Sequence, residues 1–424
     1  MANDKDFVVA GAVEVGKDTK VTLGTVTSNN IDLATGNYFA DTPTGASTYT
    51  ISNAGDVQSF QLEVTGGTEE VAQNFSTTLY TGNGSTQTIT NGIDLAGDGG
   101  MIWSKSRTTT SAHGLYDTVR GVSKEISSSS TVAQSTDNGV TAFNSNGYTV
   151  GNRHTTNTSA ANYVSWTFKK EPSFFDVITY TGDGTNPRTI SHNLGCDVGF
   201  MVIKRTDSTS NWHLWHRSVT GYAELNLTNA WNSYTGLWAD TNPTSTSFTV
   251  DNNSVVNASG ATYVAYLFAH DDAADGLIQC GSFTTNSDGS LDPVDLGWQP
   301  QWLMIKNSAT TGNWDIFDAT IDPELKSRLK ANLTDAEATY SQQYLETSST
   351  GFSALAGWGG FTKEKIYIAI RAASDPDLTW PSSIEWAGGV APSAPATGET
   401  DVYTLVTDDG GTSYVGVKTA DNLS

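Results

Sequence analysis

The sequence predicts an all-β protein with three tandem antiparallel β-sandwich repeats inserted in a discontinuous β domain. Glycine is frequent, at 41 of 424 residues, and 12 tryptophans make the chain too aromatic for a disordered protein. Short β-branched stretches alternate with Thr, Ser, Asn and Gly, which is typical of short strands joined by many turns. Three stretches of the chain also carry the same motifs in the same order.

The repeat is clearest around Lys105, Lys204 and Lys306, which follow similar apolar residues and lie about one hundred residues apart. Solenoid turns and propeller blades are shorter, at roughly 20–50 residues. The period therefore indicates a small domain that was duplicated twice, as in display and binding proteins that gain avidity from several weak sites. The other matching stretches are 112–117 with 211–216 and 313–318, and 162–168 with 262–268 and 365–370, in which Tyr163, Tyr263 and Tyr367 are expected to be equivalent.

These motifs divide the chain into five parts. The predicted parts are an N-terminal attachment or oligomerisation arm (1–30), three repeats, here named segment 1 (75–170), segment 2 (174–270) and segment 3 (277–373), and two flanking stretches. A resemblance described below implies that these stretches form one discontinuous β domain (31–66 with 378–424). Asn-Gly and Asp-Gly turns follow the first strand of the segments, as expected for hairpins. One helix is predicted at 323–330, with Asp322 as the N-cap and Pro323 in the first turn.

The net charge of −23 argues against a nucleic-acid partner, which would require a basic stripe. No run approaches the roughly 20 apolar residues of a membrane span, so no membrane insertion is expected. The two cysteines, Cys196 and Cys280, lie in different segments and do not indicate a disulfide framework. We expect synthesis in a reducing cytoplasm.

No catalytic motif is present, and the sequence predicts a protein that is not an enzyme and has no cofactor. The glutamates of segment 3, Glu324, Glu337, Glu346 and Glu364, lack the spacing of a jelly-roll glucanase. No metal site is predicted: His213 and His216 are three apart, which on a strand places them on opposite faces, and the aspartate clusters do not match a calcium loop.

Aromatic residues are candidates for glycan binding, because a ring face can stack on a pyranose. Six of them recur within the strand motifs and are expected in the core: Trp103, Trp166, Trp302, Tyr163, Tyr263 and Tyr367. The candidates outside the shared pattern are Trp231, Tyr234, Trp238 and Trp358.

The three segments resemble a domain of unknown function from structural proteins of marine tailed bacteriophages. The motifs that carry the resemblance are Trp103–Arg107, Asp117–Gly121, Gly147–Gly151 and the closing Tyr-Val strand at Tyr163. That resemblance implies concanavalin-A-like, lectin-type jelly rolls. A second resemblance, to phage-fibre β domains, covers Gln58–Gly67 and Trp380–Gly411. Some 300 residues separate its two halves, so we expect the segments to be inserted at an exposed loop of a fibre-type domain.

These resemblances imply a bacteriophage virion structural protein, assembled in the host cytoplasm and displayed on the particle as a tail fibre or spike. Host-surface or glycan adhesion is then the expected role. The alternatives are a capsid decoration or head-fibre protein and a jelly-roll polysaccharide-degrading enzyme. The expected partners are other virion proteins, a host glycan and two further copies of the chain, because the apolar bursts of residues 7–24 are too short to form a core alone.

Overall fold

The computed structural model describes residues 23–27, 29–41, 47–65, 70–273, 276–357, 363–372, 378–387, 389–392, 395 and 400–423. Most of the N-terminal arm lies outside these residues. The chain forms two compact units, here called the terminal unit (1–69 with 374–424) and the central unit (70–373).

The terminal unit contains a five-stranded mixed sheet, in which the two ends of the chain pair with each other. Gln58–Thr65 runs antiparallel to Thr400–Thr407 over eight register positions, from Gln58 opposite Thr407 to Thr65 opposite Thr400. The two halves of the phage-fibre motif therefore lie in neighbouring strands. The strands of this unit are Val26–Thr27, Asn30–Asp32, Tyr38–Asp41, Ser47–Thr48, Thr50–Ser52, Gln58–Thr65, Leu378–Thr379, Ile384–Trp386, Thr400–Thr407 and Tyr414–Leu423.

The core of the terminal unit follows from period-two alternation. Leu62 and Tyr403 are register partners on adjacent strands, and both are fully buried. Trp380 packs on Tyr403, with ring centroids 4.8 Å apart. The expected hairpin is also present, since Thr400–Thr407 pairs antiparallel with Tyr414–Leu423. The other two pairs of the five-stranded sheet are parallel: Tyr38–Asp41 with Gln58–Thr65, and Ile384–Trp386 with Tyr414–Leu423.

The central unit is also almost entirely β-structure. Segment 1 follows the short helix Glu70–Asn74 and has strands Phe75–Thr81, Gln87–Thr90, Gly100–Ser106, Gly114–Asp117, Lys124–Glu125, Ser135–Thr136, Val140–Asn144, Gly147–Val150 and Asn162–Lys169. Segment 2 has strands Phe175–Thr181, Arg188–Ser191, Val198–Arg205, Trp212–His216, Val219–Glu224, Ser247–Val250 and Thr262–Ala269, with a 3-10 turn at Gly236–Trp238 and a helix at Ser254–Asn257. Segment 3 has strands Ile278–Thr284, Leu291–Asp295, Pro300–Asn307, Trp314–Asp318, Ser327–Lys330, Ala338–Thr339, Leu345–Ser348, Gly351–Ala354 and Glu364–Arg371.

Each segment contributes one large antiparallel sheet with the same strand order. In each sheet the last strand of the segment lies between the first strand and the strand that carries Lys105, Lys204 or Lys306. The lysine strand pairs on its other side with the strand that follows it in the chain. Segment 1 also has two smaller sheets of two and three strands, and segments 2 and 3 each have one smaller sheet, of two and three strands respectively. Within the described residues, no helix is long and apolar enough to cross a membrane.

One face of all three large sheets meets in a common core. Trp166 of segment 1, Tyr266 of segment 2 and Ile368 of segment 3 belong to the same cluster of buried side chains. The rings of Trp166 and Trp302 lie 6.2 Å apart, and those of Phe168 and Phe268 lie 5.4 Å apart. The opposite face of the segment 1 sheet packs in a second cluster of buried side chains, and the opposite face of the segment 3 sheet packs in a third. The central strands of these two sheets are therefore apolar on both sides.

Hydrogen bonds between the segments close the arrangement into a ring. The Tyr266 hydroxyl of segment 2 donates to Asp117 of segment 1 at 2.7 Å, and the Trp166 indole N–H of segment 1 donates to Asp318 of segment 3 at 2.7 Å. Between segments 2 and 3, His216 Nε2 lies 3.2 Å from the carbonyl oxygen of Tyr367. Asp117, His216 and Asp318 occupy corresponding positions on corresponding strands, so the three junctions are related.

The register corrects one expected equivalence. Lys105, Lys204 and Lys306 lie opposite Val164, Val264 and Ile366. The residues that precede these three are Tyr163, Tyr263 and Lys365, so the segment 3 residue equivalent to the two tyrosines is Lys365. The expectation that Tyr367 is equivalent to the other tyrosines is wrong by two residues. Tyr367 is nevertheless a core residue, as are the other five aromatics expected there.

The predicted helix at 323–330 is also wrong. Asp322 does accept hydrogen bonds from the backbone N–H groups of Glu324 and Ser327, at 3.1 and 2.8 Å. These bonds close a turn, in which Leu325 has a φ of +51°. The chain then joins the large sheet as Ser327–Lys330, where Leu329 pairs with Ile316. Burial of Leu329 in the common core is incompatible with continuing the helix.

Candidate functional site

The central unit has a cavity of about 350 Å³ in segment 3. Its size is at the small end of the roughly 300–1,000 Å³ that is usual for small-molecule sites. The lining is mainly polar and aromatic: Ile305, Asn307, Thr311, Gly312, Asn313, Asp315, Arg328, Tyr340, Tyr344, Gly357 and Lys365.

Three strands of the large segment 3 sheet carry the main charged groups. Asp315 lies on Trp314–Asp318, Arg328 on Ser327–Lys330 and Lys365 on Glu364–Arg371. The Arg328 guanidinium lies over the ring of Tyr340, with its central carbon 4.3 Å from the ring centroid. Arg328 Nη1 is 3.5 Å from Asp315 Oδ2, a distance too long for a strong hydrogen bond.

Arg328 keeps hydrogen-bonding capacity for a ligand. Its Nε is buried, and it has no acceptor among the residues that the structure describes. A buried donor without an acceptor costs free energy, about 1–3 kcal/mol. Because the ring of Tyr340 fixes one face of the guanidinium, an incoming acceptor would have to approach in the guanidinium plane.

The charges around the cavity are unusual for so acidic a chain. Burial raises the pKa of Asp315, and four nearby cations oppose that rise: Arg328, Lys330, Lys365 and Lys306. Burial lowers the pKa of Lys365 and lowers that of Lys306 to about 8. Lys306 donates to the carbonyl oxygens of Asn307 at 2.8 Å and Thr228 at 3.3 Å. Among the described lining residues, the cations Arg328 and Lys365 outnumber the carboxylate Asp315.

In segments 1 and 2 a buried tyrosine occupies the position that Lys365 has in segment 3. Tyr163 and Tyr263 replace Lys365, and both are fully buried. The Tyr163 hydroxyl donates to the carbonyl of His154 and accepts from the N–H of Thr158, and the Tyr263 hydroxyl makes the corresponding bonds with Ser254 and Ala258. These tyrosines hold a loop against the sheet.

The position of Asp315 differs in the same way. It corresponds to Gly114 in segment 1, where an added Cβ would lie 3.1 Å from the Thr155 side chain, and to His213 in segment 2, whose ring packs on Tyr222 at 5.7 Å. Segment 3 alone combines a short acidic side chain with a lysine at these two positions, which leaves the cavity between them.

The glycan candidates of segment 2 lie away from this cavity. Trp231 is half-buried against the common core, and its backbone N–H donates to the carbonyl of Ser308 at 2.9 Å. Tyr234 has 53% of its surface exposed and is the most exposed of the three glycan candidates that the structure describes. Neither residue lines the cavity.

Trp238 is a core residue in this structure. Only 2% of its surface is exposed, and its indole N–H donates to the carbonyl of Gly221 at 2.9 Å. Neither face of its ring is open to a sugar. Trp358 lies outside the described residues, although the residue before it, Gly357, lines the cavity.

His213 and His216 are both buried on the strand Trp212–His216. Burial lowers the pKa of both His213 and His216 to about 4. His216 also accepts the backbone N–H of Ser218 at Nδ1, so both its ring nitrogens have partners. Among the described residues, no group of three or more His, Cys, Asp or Glu side chains could hold a metal ion.

A family model described as "Domain of unknown function (DUF7483)" matches residues 70–370. The chain belongs to this family. The match runs through all three segments and nearly coincides with the central unit, residues 70–373. No curated protein matches the chain.

Among solved structures, one titled "Crystal Structure of the STIV MCP" matches with 7% identity, over 74% of this chain and 91% of its own. Its TM-score is 0.15, so the likeness carries no argument about the fold.

Little in the sequence indicates the cavity. Asp315, Arg328 and Lys365 are far apart in the chain and meet only through strand pairing. The available signal was the departure of segment 3 from the Tyr-Val motif, since Lys365 stands where the other segments have tyrosine.

Proposed function

We propose that the central unit is a carbohydrate-binding module and that the cavity of segment 3 is its binding site. The observation that carries this proposal is the pairing of aromatic rings, Tyr340 and Tyr344, with charged and amide groups around one cavity. Sugars need both kinds of contact, because their C–H faces pack on rings while their hydroxyls require hydrogen bonds.

Binding without catalysis is the better interpretation of the cavity. Asp315 is the one carboxylate among the described residues that line it. Glycoside hydrolysis normally uses two carboxyl groups, about 5–5.5 Å apart in retaining enzymes and about 6.5–9.5 Å apart in inverting enzymes. A jelly-roll polysaccharide-degrading enzyme remains the competing proposal, and the assay below separates it.

We further propose that the three segments are sandwich repeats, derived from one lectin-like domain and arranged around the common core. The shared strand order and the matching register of Lys105, Lys204 and Lys306 support this origin. In this proposal two copies retain a tyrosine that packs against a loop, and the third has become the ligand site.

The sequence motifs favour display on a bacteriophage particle, as a tail fibre or spike that adheres to a host glycan. A capsid decoration or head-fibre protein is the alternative location. We propose that the arm formed by residues 1–30 joins three chains or docks on another virion protein. Light scattering on the full chain and on a version that starts at Asn30 tests this: a full chain that stays monomeric at micromolar concentration contradicts the trimer.

A glycan array probed with the full chain tests carbohydrate binding. We expect binding that Tyr340→Ala weakens at least tenfold, because this change removes the ring that orders Arg328. Tyr234→Ala should leave binding unchanged, and a loss of binding in that variant alone would place the site at the exposed ring of Tyr234 instead. Failure of the folded protein to bind any glycan contradicts the proposal. Release of reducing ends from a bound glycan would favour the enzyme instead.

A further inference from the structure

We propose that the segment 3 cavity selects an acidic saccharide, with the acid group held by Arg328 and Lys365. The inference rests on the carbohydrate-binding function proposed above and specifies its ligand class. The chemistry on which it depends is an anionic oxygen group on a sugar, either a carboxylate, as in a uronic acid, or a sulfate ester.

The first argument is charge. The chain carries a net charge of −23, and its surface should repel polyanions. Around this cavity the balance is reversed: among the described residues that line it, the two cations Arg328 and Lys365 outnumber the one carboxylate, Asp315. Asp315 can neutralise one of them. The remaining positive charge would be offset by a ligand that brings its own anion.

The second argument is geometry. Arginine forms planar, two-pronged hydrogen bonds with carboxylate and sulfate-like groups. The Arg328 guanidinium is stacked on Tyr340, its Nε lacks an acceptor among the described residues, and its contact with Asp315 is long. An acid group in the guanidinium plane would supply the missing acceptor.

The third argument is the comparison between the segments. Lys365 occupies a fully buried tyrosine position of segments 1 and 2, and it is itself only 5% exposed. Burying an ammonium group is costly unless an opposite charge is nearby. Lys365 and Arg328 thus bring two cationic groups to the lining of one cavity, an environment that suits an anionic ligand.

The test is calorimetric titration of the full chain with methyl glycosides of glucuronic, galacturonic and mannuronic acid, each compared with its neutral methyl ester. Galactose 6-sulfate, compared with galactose, forms the sulfate arm. We expect at least one acid to bind at least ten times more tightly than its neutral partner. The two arms show whether the anion is a carboxylate or a sulfate.

Two variants locate the site. Lys365→Tyr introduces the side chain that segments 1 and 2 already carry at this position and should abolish acid binding. Arg328→Gln should weaken it at least tenfold. Lys326→Gln is the matched control. Lys326 directly precedes the strand that carries Arg328, it pairs with Glu324, and it does not line the cavity. Near-ultraviolet circular dichroism confirms that each variant is folded.

The possible failures can be distinguished. Equal affinity for acids and neutral esters, lost in Lys365→Tyr, overturns the acidic ligand class but leaves carbohydrate binding standing. Acid binding that survives both Lys365→Tyr and Arg328→Gln overturns this site. Absence of binding by every acid and every neutral sugar overturns both proposals.

Discussion

Replacing Asp117 with alanine should strongly destabilise the central unit, because Asp117 forms a buried ion pair in segment 1 and a hydrogen bond to segment 2. Asp117 and Arg120 have side chains that are 0% and 3% exposed, with Arg120 Nε 2.5 Å from Asp117 Oδ2. The same carboxylate oxygen accepts the Tyr266 hydroxyl of segment 2 at 2.7 Å. The variant would leave a buried guanidinium without its counter-charge and would also remove a bond that closes the ring.

The expected magnitude follows from these contacts. Removing one partner of a buried ion pair costs about 3–5 kcal/mol, because the other charge stays buried. Tyr266→Phe removes the hydroxyl bonds to Asp117 and Arg120 but leaves the ion pair, so it should cost about 1–3 kcal/mol. Since both changes remove one common bond, the double variant should lose less stability than the sum of the two single variants.

Guanidinium unfolding of the full chain, followed by tryptophan fluorescence, measures these losses. Asp322→Ala is the control, because Asp322 bonds only within a turn of segment 3, and we expect a loss of about 1 kcal/mol. The reasoning is refuted if Asp117→Ala shifts the unfolding transition no more than Asp322→Ala does. It is also refuted if the Asp117 and Tyr266 effects are strictly additive.

Two further stability measurements address burial and pH. Trp238→Ala should cost about 3–5 kcal/mol, whereas Tyr234→Ala, at an exposed position, should cost less than about 0.5 kcal/mol; equal losses would contradict the burial described for Trp238. Lys105, Lys204 and Lys306 have pKa values lowered by burial from 10.5 to about 8. The unfolded chain therefore binds more protons between pH 8 and pH 10, and the free energy of unfolding should rise with pH over that window, by at most about 1.4 kcal/mol per pH unit for each lysine. Denaturant titrations at pH 8, 9 and 10 check this, and Lys204→Met should reduce the slope; a flat or falling stability would contradict it.

The sequence was a good guide to the strands and to much of their repetition. Lys105, Lys204 and Lys306 are equivalent in the structure as they were in the motif comparison, because a strand pattern fixes which residues share a face. The Tyr367 assignment was wrong because a Tyr-Ile step in segment 3 resembled the Tyr-Val step of the other segments. Only pairing with the neighbouring strand sets the register, and it places Lys365 there instead.

The ring and the cavity depend on contacts that no local pattern encodes. Asp117 was part of a recognised turn motif, yet its bond to Tyr266 spans 149 positions of the chain. The helix predicted after Asp322 failed for a related reason: the capping side chain behaves as expected, but burial of Leu329 in the core draws the chain into the sheet. Tertiary packing outweighs local propensity at both places.

The most direct test is a crystal structure of the full chain soaked with the acidic sugar that binds most tightly. A carboxylate or sulfate should lie within hydrogen-bonding distance of Arg328 and Lys365, with a sugar face against Tyr340 or Tyr344. The corresponding positions in segments 1 and 2 should remain filled by Tyr163 and Tyr263. A sugar bound elsewhere on the chain, with the segment 3 cavity left empty, would contradict the account.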